Sequence, residues 1–163
     1  MYVDTTCIGE RLRWMKVSLL FVLEFNNMYK NEYEIWIASP SDREYLVAEV
    51  YHKLLFAEIN QEHGYLEIQI YPTSDRKIMV SLNDFVEALH AAKEHLQAKH
   101  VHAAAEDRIT IRQKDSNEVC LLSENRMFAT ISNGLLELNI PQGSLLKLPL
   151  DRFVEILSSY IIG

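Results

Sequence analysis

The chain is poor in the residues that staple, punctuate or span. Of 163 residues only two are cysteine, Cys7 and Cys120, too few for a disulfide framework, so a reducing compartment is expected. Five glycines assemble no Gly-rich phosphate loop. The apolar run at 17–23 follows Arg11, Arg13 and Lys16 like the core of a signal peptide, but seven residues cannot cross a bilayer. Glu24-Phe25-Asn26-Asn27 then offers no small-residue cleavage site, and Met28 opens a stretch that reads as a start by itself. Positive charge is also scarce: 16 Lys and Arg face 23 Asp and Glu, a formal charge of −7. The deficit is local, with 11 acids and 5 bases at 33–96 against 7 and 6 at 107–160. An acidic first half repels nucleic acid and favours a basic partner, although surplus carboxylates also serve solubility.

What the chain has is a duplication. Phe56-Ala57-Glu58-Ile59, Gly64, Leu66-Glu67-Ile68-Gln69-Ile70 and Leu82-Asn83-Asp84-Phe85-Val86-Glu87-Ala88-Leu89 reappear as Phe128-Ala129-Thr130-Ile131, Gly134, Leu136-Glu137-Leu138-Asn139-Ile140 and Leu150-Asp151-Arg152-Phe153-Val154-Glu155-Ile156-Leu157. The spacing between copies falls from 72 to 70 to 68 residues, so the second copy is shortened at turns. With 48% apolar residues the chain can bury one core shared by both copies.

Alternation of period 2 predicts strands at 33–38, 46–51, 55–61 and 65–71, joined by links short enough for hairpins. Ser81 can cap a following helix, whose Phe85, Val86, Leu89, Ala92 and Leu96 form one apolar stripe; Phe153, Val154, Leu157 and Ile161 repeat it after Pro149. Strands at 109–111 and 119–122 open the second copy. The predicted class is α+β: tandem ββββα units, two antiparallel four-stranded sheets each with a C-terminal helix, in a Whirly-like pseudo-twofold arrangement. A single domain at 1–163 divides into an N-terminal extension (1–30), a first repeat (33–97), a linker (98–106) and a second repeat (107–163).

Chemistry is thin. His90, His95, His100 and His102 are spaced as a chelate could be, but no Cys or Asp nearby in sequence completes a shell, so solvated histidines and no metal are expected. Glu58 and Glu67 could be drawn as an acid and base, yet no nucleophile or oxyanion donor accompanies them, and Cys120 reads as a small core residue. An enzyme is not expected, and no cofactor is required. What remains is a surface: the register places Glu34, Trp36, Glu49, Tyr51, Phe56, Glu58, Glu67, Gln69 and Tyr71 on the outward face of the first sheet. Carboxylates steer a basic partner and aromatics anchor it. The alternative is that Trp36 and Phe56 are covered by the second copy or the N-terminal segment.

Two resemblances give this surface an occupant. Tyr33-Glu34-Ile35-Trp36-Ile37-Ala38, Leu46-Val47-Ala48-Glu49-Val50-Tyr51, Phe56-Ala57-Glu58-Ile59-Asn60-Gln61-Glu62 and the helix from Leu82 to Leu89 resemble bacterial immunity proteins of polymorphic-toxin and contact-dependent growth inhibition systems. The resemblance covers 28–97, and the second copy through its internal similarity. It implies a cytoplasmic monomer or homodimer that binds the C-terminal domain of a cognate toxin, a basic nuclease, and covers its cleft. Glu34, Trp36, Glu49, Tyr51, Glu58, Glu67 and Tyr71 are the expected partner-binding residues, with no nucleic acid and no membrane involved. The tandem ββββα order is also similar to Whirly-type single-stranded nucleic-acid-binding proteins, without their basic strand segment. That alternative implies binding through the less acidic second copy, with Arg108, Arg112, Lys114 and Arg126.

Overall fold

The computed structural model describes residues 27–72, 77–141 and 143–161. The run at 17–23, Cys7 and most of the expected extension lie outside the described residues. The end of the extension forms β1 (Asn27–Lys30), and the first repeat forms β2 (Tyr33–Ala38), β3 (Val47–His52), β4 (Leu54–Asn60), β5 (Glu67–Ile70), β6 (Ile78–Ser81) and α1 (Leu82–Leu96). The second forms β7 (Ile109–Asp115), β8 (Glu118–Ser123), β9 (Arg126–Ser132), β10 (Leu135–Leu138), β11 (Leu146–Pro149) and α2 (Leu150–Ser158). Among the described residues no helix is long and apolar enough to cross a membrane.

These elements build the tandem ββββα class, two antiparallel sheets each followed by a helix, but the sheets have six and five strands rather than four. Two additions account for the difference: a short strand precedes each helix and joins the other repeat's sheet, and β1 adds a further strand at the edge of the first sheet. The six-stranded sheet runs β1-β2-β3-β4-β5-β11, and the five-stranded sheet runs β6-β10-β9-β8-β7. Thus β11 pairs with β5 and β6 with β10, a reciprocal exchange. A backbone bond closes each crossing, Leu82 N donating to Gly134 O and Leu150 N to Leu66 O, each at 2.9 Å.

The repeated Phe-Ala pair is a bulge. Val50 opposes Ala57 while Tyr51 opposes Leu55, leaving Phe56 as the extra residue; Leu121 opposes Ala129 while Leu122 opposes Met127, leaving Phe128. An inserted residue turns two consecutive side chains to one face. Phe56, expected outward, therefore joins Ala57 in the core. From there an aromatic line crosses the pseudo-twofold axis: Phe56 to Phe85 (5.5 Å), Phe85 to Phe153 (6.2 Å) and Phe153 to Phe128 (6.1 Å), as ring-centroid distances. The helices meet along this line inside one continuous core.

Ser81 caps α1, its Oγ accepting from Asp84 N at 3.3 Å, whereas Pro149 begins α2 with no side-chain cap. After α1 ends at Gln97 (φ 49°), the linker lies across the first repeat's turn. Gln61 Oε1 accepts from Lys99 N and His100 N at 3.1 and 3.0 Å, the His100 ring stacks on Tyr45, and Gly64 O accepts from His102 N and Ala103 N.

Gly64 and Gly134 occupy matching turns at φ 83° and 76°, where an L side chain is strained. A β-carbon at Gly134 meets nothing within 4 Å, but at Gly64 it lies 2.8 Å from the His102 ring. Gly134→Ala is expected to cost about 1 kcal/mol from backbone strain alone. Gly64→Ala should cost more, because His102 must also leave its seat. Equal losses in urea denaturation would show that the linker does not rest on Gly64.

Candidate binding surfaces

The seven expected contact residues do share one face of the six-stranded sheet. Pairing aligns Trp36, Glu49, Glu58, Gln69 and Lys147 in one row across β2, β3, β4, β5 and β11. Asn60 and Glu67 pair beside that row. Their exposure, however, is not the one expected. Glu49, Glu58 and Glu67 are only 2%, 5% and 5% exposed, and Glu34, Trp36, Tyr51 and Tyr71 are half-buried. Burying carboxylates demands donors, and the chain supplies them. Arg43 Nε and Nη2 both donate to Glu58 Oε1, at 3.0 and 2.8 Å; Asn60 Nδ2 lies 3.5 Å from both Glu58 Oε1 and Glu67 Oε1. Gln69 Nε2 donates to Glu67 at 3.3 Å, and Tyr51 Oη to Glu49 at 2.9 Å. Burial lifts the Tyr65 hydroxyl pKa, with further upward pushes from the Glu67 charge and a hydrogen bond to it. Burial disfavours the charged Arg43 guanidinium, but its hydrogen bond to Glu58 and the charges of Glu58 and Asp42 together raise its pKa. Alternation alone assigns such glutamates to solvent, whereas here they form an internal polar network.

Arg43→Ala leaves Glu58 buried without its cation, at an expected loss of about 2–3 kcal/mol after allowance for the partial exposure of the pair. Arg43→Ala combined with Glu58→Gln should recover more than half of it. A single-variant loss below about 0.5 kcal/mol in urea denaturation would mark the pair as an ordinary surface contact.

The outer face of the five-stranded sheet is open. Its central row is Arg112, Cys120, Thr130, Glu137 and Met79, running from β7 to β6. Met79, Met127 and Leu135 are 58%, 49% and 41% exposed. Lys77 pairs with Glu137 at 3.5 Å and Lys114 with Glu118 at 2.5 Å. These groups line a concavity of about 690 Å³ that also includes Arg112. Cys120, expected in the core, is buried but faces this concavity, because it alternates with core-facing Val119 and Leu121.

A second cleft, of about 400 Å³, lies beside the first where β9, β10 and β11 approach, and Arg108, Arg126 and Lys147 line it. All four cations expected of the second copy are exposed, and they divide between the two concavities: Arg112 and Lys114 in one, Arg108 and Arg126 in the other. Arg108 is 3.2 Å from Glu106. Among the described residues Arg112, Arg126 and Lys147 make no ion pair. Lys77, Met79 and Lys147 were missed by the sequence reading because they lie in or beside β6 and β11, strands too short to show alternation. No group of histidines, cysteines and carboxylates among the described residues is arranged to hold a metal ion.

Comparisons with protein-family models, curated proteins and solved structures found no match to this chain.

Proposed function

We propose that this protein is a non-catalytic binding module of the Whirly-like kind, which holds single-stranded nucleic acid on the outer face of its second sheet. One observation carries the reading: charge is sorted between the two sheets. The first sheet's carboxylates are buried and hydrogen-bonded, whereas the two concavities on and beside the second sheet carry six cations, Lys77, Arg108, Arg112, Lys114, Arg126 and, from the edge strand β11 of the first sheet, Lys147, against Glu118, Glu124 and Glu137. Screening at physiological salt limits the reach of the −7 net charge to about 8 Å, so a strand on this face meets mainly the charges that line it. Among the described residues no aromatic side chain is exposed on this face, so base stacking contributes little. Binding is electrostatic, tolerant of sequence and weak at high salt.

A second reading is the immunity-type inhibitor, favoured by a different observation on the same surface. Met79, Met127 and Leu135 form an exposed apolar centre framed by ion pairs and Arg112. Methionine and arginine are enriched in protein interfaces, and an acidic protein steers toward a basic toxin domain.

A gel-retardation assay with single-stranded RNA and DNA at low salt, run beside co-purification with the product of the upstream gene, separates the two. Retardation that fades with salt supports the strand-binding module. A stable protein partner whose toxicity is relieved, with no retardation, supports the inhibitor instead.

A further inference from the structure

We infer that the cleft of about 400 Å³ between β9, β10 and β11 is a nucleoside monophosphate subsite. As the place where a strand's terminal phosphomonoester is gripped, it rests on the strand-binding reading; as a pocket for a free nucleotide, it does not. Its size is in the range of small-ligand pockets. Phe128, Ile140 and Leu146 make its floor apolar, and Arg108, Arg126 and Lys147 supply three cations around it, against Glu124 in the lining and Glu106, which pairs with Arg108 at 3.2 Å. These cations arrive from separate elements. Arg108 immediately precedes β7 and Arg126 opens β9, while Lys147 lies on β11, the strand that the second repeat gives to the six-stranded sheet. The two-residue turn Glu124-Asn125, with φ 53° and 64°, sets Ser123 opposite Arg126 at the mouth. Guanidinium groups can stack on a base and also pair with phosphate, so the cleft holds the parts a nucleotide needs.

The duplication serves as an internal control. The residues matching Arg126 and Lys147 in the first repeat, 72 and 68 positions earlier, are Leu54 and Met79. Both are exposed there, so the scaffold needs no cation at either position. The charges of the second copy are additions to the fold, and they fall at one cleft.

The test uses the full chain in low salt. Isothermal titration with adenosine and uridine monophosphates and with inorganic phosphate is set beside anisotropy of labelled single strands ending in a phosphate or a hydroxyl. The expected result is that nucleoside monophosphates bind more tightly than inorganic phosphate, and that a terminal phosphate strengthens strand binding about tenfold. Arg126→Ala with Lys147→Ala, both exposed positions, should abolish both effects. Arg112→Ala should weaken every strand yet keep the phosphate-to-hydroxyl ratio. Equal binding of the two kinds of strand, with no nucleotide binding, overturns the subsite while leaving the strand-binding module in place. Nucleotide binding without strand binding upholds the subsite and overturns the module. Inorganic phosphate binding as tightly as the nucleotides overturns the role given to the apolar floor.

Discussion

Phe85→Ala is expected to lower the unfolding free energy by about 4 kcal/mol, the middle of the range for truncating a buried aromatic. Phe85 is fully buried and its ring has three aromatic neighbours, Tyr33 at 6.0 Å, Phe56 at 5.5 Å and Phe153 at 6.2 Å. Truncation removes the transfer energy of the ring, leaves a cavity and ends edge contacts worth about 0.5–1.5 kcal/mol each. Relaxation cannot fill the space readily, because helices and sheets of both repeats close around it. Phe153 is the matching residue, 68 positions on and equally buried, so Phe153→Ala should cost a similar amount. The two rings touch, and the double variant should therefore lose less than the sum of the singles. Urea denaturation reads all three. A loss under about 1 kcal/mol for either single variant would contradict the shared core, as would additivity of the pair.

Affinity for a single strand is expected to fall about 20-fold between 50 and 200 mM salt. Of the six cations that line the two concavities, Arg112, Arg126 and Lys147 are those without ion-pair partners among the described residues. Three neutralised phosphates on a single strand give a slope of about −2 in log affinity against log salt. Lys114 and Lys77 already hold Glu118 and Glu137 and contribute less, since each must first give up a carboxylate. Replacing Arg112, Arg126 and Lys147 together by alanine should remove nearly all of the slope. Lys93→Ala, at an exposed ion pair with Asp151 that lines neither concavity, should leave it unchanged. Fluorescence anisotropy over a salt series provides the measurement. A flat dependence would mean that these side chains do not meet phosphate.

The fold was more legible in the sequence than the surface. The repeat, the meanders and both helices could be read because periodicity and capping are local, Ser81 being a clear case. Phe56 was misplaced because alternation has no means of registering an inserted residue; only its recurrence at Phe128 marks the bulge. The exchange of β6 and β11 was missed because four residues beside a helix carry no measurable period and their partners are set by tertiary packing. Glu49, Glu58 and Glu67 were expected in solvent because a carboxylate's donors, such as Arg43 for Glu58, lie on other segments and are invisible until the strands pair. Arg108, Arg112, Lys114 and Arg126 could be named from the sequence as cations of the second copy. Their division between two concavities, and the arrival of Lys147, needed the structure.

The most direct test of the central claim is a map of backbone amide chemical-shift changes in the ¹⁵N-labelled full chain, titrated with a phosphorylated single-stranded 12-mer at low salt. Changes confined to β7, β8 and β9, to Met79 and Leu135, and to the neighbourhood of Lys147 are expected. Changes centred on β2 to β5, around Glu49 and Glu58, or no changes at all, would contradict that claim.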